Sequence, residues 1–444
     1  MKTLEIPEKA LSKDEILGKM KQMSNEDVKW HEGKAFGYVY HIDDEHSDFI
    51  KKCHNKFAST NALSPLAFPS LKRFESEIVS MTASMLGGDD EVVGNVTSCG
   101  TESILVALKT YRDWGNKKIK TDNPEIILPR SAHPAFDKGA HYFGLKIIHV
   151  DIRDDYRADP DAMQDAITDD TVMMMGSACD YPKGVVDPIE ELAEIAQDHK
   201  IGFHVDSCLG GFMLPWLKKL GYPIPNFDLS VEGVTSISAD CHKYGFGFKG
   251  SSTILFKDED FQKYQYFATT EWPGGIYASP TMTGTRPGGV IAGTWAAMKS
   301  LGQDGYMKVA EKTMKTTQKL MNAVKSIPEL HVFGEPDMTV FTFGSDDLNV
   351  YRLADLMQAR GWILDKLQKP RCLHCIVNPN QFEVTDEFKT DLTACVEELR
   401  DNPRAKTEDG TAAMYGMMEK LPLRKLVKKK VIDFMIDQYK LDED

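Results

Sequence analysis

The chain has 444 residues, 42% of them hydrophobic, and a formal net charge of −14. That length suffices for a large domain with a smaller one beside it, and the acidic balance excludes a surface built to gather nucleic acid or anionic membrane. The first thirty residues are mixed and charged, with no apolar run of signal-peptide or spanning length, so no integral membrane segment is expected.

Residues 1–70 begin helical and then turn irregular, because NALSPLAFPS is too proline-rich for a helix interior. From residue 71 onward, short apolar runs alternate with amphipathic stretches. LKRFESEIVSMTASML reads as helix, VVGNVTS as a strand leading into a glycine, and TESILVALKTYRDW as the next helix. EIILP, KIIHVDI, TVMMMGSA, GFHVDS, TSISAD and STILF read as further buried strands, with helical segments such as PIEELAEIAQDH between most of them. This alternation predicts an α/β fold, a mostly parallel sheet covered on both faces. A long helical stretch then runs to about residue 325, followed by HVFG, MTVFTFG, the helix VYRLADLMQARG, LHCIV and a helix near 384–400, a small α+β unit. The expected division is an N-terminal segment (1–70), a large domain (71–300) and a small C-terminal α+β domain (301–444). The closing basic run in LPLRKLVKKKVIDFMIDQYKLDED reads as a solvated helix face. Eight scattered cysteines read as reduced thiols of a cytoplasmic protein, and the lone Cys372–Cys375 pair sits in a strand-like run. No metal is expected.

Three segments carry chemistry. In SADCHKYGFGFKGSS, Lys243 follows a buried-looking strand among small residues. A lysine there is costly to bury unless paired or neutralised, and as an imine it becomes the covalent anchor of an aldehyde cofactor. In HVDSCLGGF, Asp206 ends a strand, where open α/β sheets bind ligands and where a carboxylate can keep a pyridine nitrogen protonated. A helix N-cap is the bland alternative for it. In TSCGTES, small residues between strand and helix let backbone N–H groups face a phosphate, with a capping box as a compatible alternative. Phosphate loop, then Asp206, then Lys243 37 residues further on is the order expected of a fold-type I pyridoxal-phosphate (PLP) enzyme, with the last two on neighbouring strands.

HVDSCLGGF, GVTSISADCHKYGFGFKGSS, GGIYASPTMTGTRPGG, SAHPAFDKGAHYFG and AKTEDGTAAMYGM resemble the group II PLP-dependent decarboxylase family, and within it the sphingosine-1-phosphate lyase branch, from about residue 33 to 418. The resemblance implies that Lys243 forms the Schiff base, Asp206 pairs with the pyridine nitrogen and His133 stacks on the ring. Gly100, Thr101 and His242 would hold the cofactor phosphate, and Thr285 would reach it from the other subunit of a homodimer with shared active sites. Tyr40 and Lys249 would hold a substrate phosphate, with Tyr181 near the reacting carbon. The N-terminal segment would contribute to the dimer and to the substrate site.

The chain departs from the family where N-x-L-H-P-D-x-F-P becomes NALSPLAFP. Ser64 replaces the histidine beside the substrate phosphate, Leu66 the acidic residue, and Cys99 stands for a phosphate-loop glycine. The implied reaction is retro-aldol cleavage of a phosphorylated long-chain amino alcohol to a fatty aldehyde and phosphoethanolamine. A tyrosine- or glutamate-type amino-acid decarboxylase is the alternative. Whether Lys243 or a tyrosine moves the proton stays open.

Overall fold

The computed structural model describes residues 4–403 and 424–440 of the chain. The AKTEDGTAAMYGM motif at 405–417 lies outside them. Seven strands form the main sheet: β1 (Val93–Thr97), β2 (Glu125–Pro129), β3 (Lys146–Val150), β4 (Thr171–Ser177), β5 (Gly202–Asp206), β6 (Ser236–Ala239) and β7 (Ser252–Phe256). Their order is β1-β7-β6-β5-β4-β2-β3. β2 to β6 pair in parallel with one another and with β3, as their near-continuous apolar runs predict. STILF, strand β7, is the exception and lies antiparallel to both β6 and β1. The chain between β6 and β7 holds only turns, with no crossover helix to bring it back in parallel. That connection is the segment carrying Lys243.

Helices cover both faces. Residues such as Leu108, Tyr111, Leu128 and Phe136 fill one side, and Ile127, Phe203, Val205, Leu214 and Ile237 belong to the core on the other. Each buried aliphatic side chain stabilises the fold by about 1.5–3 kcal/mol. A two-stranded ribbon, β8 (Phe267–Thr269) and β9 (Tyr277–Ser279), stands apart from the sheet.

A second sheet, fully antiparallel in the order β10-β11-β13-β12, comprises β10 (His331–Val332), β11 (Val340–Gly344), β12 (Asp365–Leu367) and β13 (Cys372–Ile376). The helical stretch Gly288–Lys325 bridges the two sheets. Gly302, at φ 59° and ψ −176°, interrupts it. Ile291 and Met298 pack in the first core, Leu320 and Val324 in the second. The N-terminal segment also reaches the second core, through Phe36 and a parallel bridge from Ala35 to Ile363. Cys372 and Cys375 both lie buried in β13, and Cys372 Sγ accepts from Lys183 Nζ at 3.2 Å. The closing basic run is helical from Arg424 to Gln438, and its described side chains are largely exposed. No helix among the described residues is long and apolar enough to cross a membrane.

Candidate active site

The carboxyl ends of β1, β2, β4, β5 and β6 share one edge, and a cavity of about 170 Å³ opens there. Its walls include Gly100, Thr101, His133, Tyr181, Asp206, His242 and Lys243, residues drawn from five separate strand ends. The parallel sheet collects them, because successive strand–helix turns emerge on the same side.

The phosphate cup is the start of the helix Gly100–Lys118. The capping-box alternative fails: Cys99 at the N-cap makes no side-chain cap bond. Glu102 is used differently, its Oε2 accepting from Ser98 N at 2.6 Å and its Oε1 from Met282 N at 2.9 Å. The helix-start N–H groups therefore remain available to an anion. Gly100 is required sterically, since a Cβ would come within 2.7 Å of Cys208 Sγ and 2.8 Å of both Asp240 oxygens. Hydroxyl contacts fix the loop from behind, Thr97 to Ser103 at 2.6 Å and Ser103 to Ser252 at 2.9 Å.

Asp206 is 7% exposed; its Oδ1 accepts from Cys208 N at 3.1 Å and Ser238 Oγ at 3.4 Å. It thus closes a turn and caps no helix. Its strand does lie beside the one leading to Lys243, with Asp206 opposite Ser238. Ser238 also contacts His204, whose ring is buried between Ser238 and Ser236. Burial pushes the His204 imidazole down to about 4, against the pull of Asp206, so it is neutral.

The Lys243 amine pairs with a carboxylate that the sequence reading left unassigned. Asp240 Oδ2 lies 2.9 Å from Lys243 Nζ, and Asp240 is 2% exposed. Burial alone would raise the Asp240 carboxyl, but Lys243 and His242 outweigh it and hold it below its ordinary value. Burial alone would likewise depress Lys243, and Asp240 reverses this to leave the amine well above the lysine range. Asp240 Oδ1 has no hydrogen-bond partner. His242 lines the cavity with Nδ1 accepting from Ser251 N at 3.2 Å. His133 faces the cavity too, and its Nδ1 accepts from Ala135 N at 3.1 Å, so the ring also caps the next helix.

Tyr181 is gripped from the second sheet. Its hydroxyl donates to Asp365 Oδ2 at 3.1 Å, and Tyr38 donates to the other oxygen, Oδ1, at 2.6 Å. Burial, then the Asp365 charge, push the Tyr181 phenol up. Tyr40 packs edge-on against Tyr244, and the Lys249 amine lies 5.2 Å from the Tyr40 ring centre. Loss of water around that amine, then repulsion from Lys243, lower its pKa, although part of the side chain stays open to solvent. Tyr40 and Lys249 adjoin the cavity residues without lining the cavity itself.

Ser64 and Thr285 are not brought to this cavity; both are exposed. Thr285 contacts Asn61 at 3.5 Å, next to Arg286, which makes a buried two-point ion pair with Glu75. One group of donors among the described residues, His31, His41 and Asp44, brings its ligand atoms within 4.8 Å of one another near the surface. Cys179, Cys208, Asp240 and Asp365 were missed by the sequence reading. Asp240 carries a signal, since it directly follows β6 much as Asp206 ends β5. Asp365 carried none.

A sheet of this order, with a lysine, a strand-end carboxylate and a helix-start cup at one edge, is the frame of a fold-type I pyridoxal-phosphate enzyme. The profile of the pyridoxal-dependent decarboxylase conserved domain matches residues 1–345. The sphingosine-1-phosphate lyase of Arabidopsis thaliana is 44% identical over 446 residues, covering 99% of this chain and 81% of that protein. Sphingosine-1-phosphate lyase 1 of Rattus norvegicus is 44% identical, covering 98% and 77%. The solved structure of the Burkholderia pseudomallei sphingosine-1-phosphate lyase superposes with a TM-score of 0.87 at 41% identity, covering 95% of this chain and 97% of that one. The chain belongs to the sphingosine-1-phosphate lyase branch of the pyridoxal-dependent decarboxylase family.

The residues present fit pyridoxal phosphate. The cup excludes a Cβ at Gly100, Asp206 sits at a strand end without a cationic partner among the described residues, and Lys243 reaches the cavity.

Proposed function

We propose that the chain cleaves the bond between the amine-bearing and hydroxyl-bearing carbons of a phosphorylated long-chain amino alcohol. The products are a fatty aldehyde and phosphoethanolamine. Pyridoxal phosphate, when bound, supplies a sink for the electrons left on the amine-bearing carbon. Lys243 would hold it covalently, Asp206 would keep its ring nitrogen protonated, and Gly100, Thr101 and His242 would face its phosphate, with His133 against the ring.

One observation carries the choice of substrate: a second cationic position beside the first. Lys249 lies by Tyr40 with no ion-pair partner among the described residues, suited to an anion other than the cofactor's phosphate. Holding the substrate phosphate there fixes which bond stands ready to break. Ser64 lies outside its own chain's cavity, so in this reading a second copy would bring its one uncharged hydrogen bond to that phosphate.

The active unit in this reading is a homodimer. Thr285 and Ser64 lie exposed outside their own chain's cavity, and Leu66 and Ile276 are 93% and 81% exposed, apolar surface suited to a second copy. A cytoplasmic location agrees with eight free thiols.

The test is product identification with phosphorylated and unphosphorylated sphingoid bases. Aldehyde from the phosphorylated base alone supports the reading, while carbon dioxide released from tyrosine, glutamate or aspartate would replace it with decarboxylation. Lys249→Ala should raise KM for the phosphorylated base by tenfold or more with kcat little changed; an unmoved KM removes Lys249 from the phosphate site. Lys243→Ala should abolish both turnover and the visible absorbance of covalently held cofactor.

A further inference from the structure

Tyr181 lines the cavity, yet its hydroxyl proton points away, to Asp365 on the second sheet. Three contacts from that sheet fix the residue. Asp365 accepts the phenol hydrogen bond, the His374 ring lies 4.3 Å from the Tyr181 ring, and His374 Nε2 donates to the Tyr181 carbonyl at 2.8 Å. Asp365 and His374 are direct cross-strand partners on β12 and β13. Tyr38 is the other donor to Asp365, and no lysine or arginine pairs with that carboxylate among the described residues. With its hydrogen committed to Asp365, the phenol oxygen of this cavity-lining residue is left to act as an acceptor.

Resting on the reaction proposed above, we infer that Asp365 is the far end of a proton relay running from the substrate hydroxyl through Tyr181. As the carbon–carbon bond breaks, the phenol oxygen takes the substrate's hydroxyl proton and hands its own to Asp365. The O–H electron pair becomes the second bond of the aldehyde carbonyl, and the pair from the broken carbon–carbon bond stays on the amine-bearing carbon. The proton then returns from Asp365 through Tyr181 to that carbon, so the cycle consumes and releases none. The phenol need never exist as a free phenolate, which its burial beside Asp365 would oppose. His374, pushed down to about 4 by burial against the pull of Asp365, stays neutral and does not compete for the proton. Asp365 acts through Tyr181 and is a positioning residue.

The experiment uses cofactor-loaded enzyme and a phosphorylated sphingoid base. Asp365→Asn, isosteric but unable to accept the proton, should lower kcat by about 100-fold or more with KM within threefold. Tyr181→Phe should lose a similar factor, and the double variant should be no slower than Tyr181→Phe, since a broken relay cannot be broken twice. Asp365→Glu should recover part of the rate. Separately, in cofactor-free protein carrying 13Cζ-tyrosine, the Tyr181 resonance should move in Asp365→Asn. Unchanged kcat in Asp365→Asn, losses that multiply in the double variant, or a stationary resonance would overturn the relay. A wild type that holds the cofactor but releases no aldehyde sinks the parent reaction instead.

Discussion

The Asp240–Lys243 pair offers the sharpest energetic prediction. At 2.9 Å the attraction is about 6 kcal/mol for an effective dielectric near 20. Desolvation of a carboxylate only 2% exposed offsets part of that. What remains visible on deleting one partner is the cost of a stranded buried charge, about 3–5 kcal/mol. The Lys243 side chain keeps 25% exposure, which places the expectation at the low end. Cofactor-free wild type, Asp240→Asn, Lys243→Met and the double variant would be compared by urea unfolding at neutral pH. Each single variant should lose about 3 kcal/mol and the double little more than one of them, because removing both charges strands neither.

The pH dependence follows from the signs. Asp240 is depressed in the fold, so its contribution is present above the ordinary carboxylate range and fades as pH falls through the folded value. Lys243 is raised, so its contribution is complete below the ordinary lysine value and is lost only at more alkaline pH. The gap between wild type and Asp240→Asn should be flat through neutrality and close at both extremes. Strictly additive losses, with coupling under about 0.5 kcal/mol, would refute the pairing.

Two further outcomes are expected. Gly100→Ala drives a methyl into Cys208 and Asp240, and overpacking of about 1–3 kcal/mol should weaken pyridoxal-phosphate binding roughly 10- to 100-fold, read by equilibrium dialysis; unaltered affinity would remove Gly100 from the cup. Asp180, fully buried under the Tyr181 loop, is pushed up to about 7 by burial and then by Asp187, and its Oδ2 has no partner. Its folded value lies above its unfolded one, so it favours the fold at low pH and costs stability as pH rises from about 4 to 7, on the order of 4 kcal/mol at most. Asp180→Asn should gain on wild type across that window in denaturation midpoints and keep a constant lead above it. A gap independent of pH would sink the assignment.

The strand-end residues were legible in the sequence because each sits inside a local signal: an apolar run ending in a small or polar residue, then a turn. The 37-residue spacing suits Asp206 and Lys243 at the ends of two neighbouring strands, and β5 and β6 do pair side by side. β7 was read as a strand, but its direction depended on whether a helix intervened before it. The capping-box alternative at the phosphate loop fitted the residue types, yet Glu102 reaches instead to Ser98 N and across to Met282 N. That second partner is 180 residues away in the chain and invisible to local pattern.

What the chain alone determined, then, is the catalytic edge: periodicity sets the strands, parallel order sets their common carboxyl side, and the residues at those ends follow. What only the tertiary structure decided is which charges meet. Asp206 and Asp240 both line the cavity with Lys243, and only packing selects Asp240 for its amine. Tyr181 and Asp365 meet across 184 residues because the second sheet folds back onto the first. Local propensity acts over a few residues, whereas a hydrogen bond or ion pair is settled by the position of atoms that the whole core has to place.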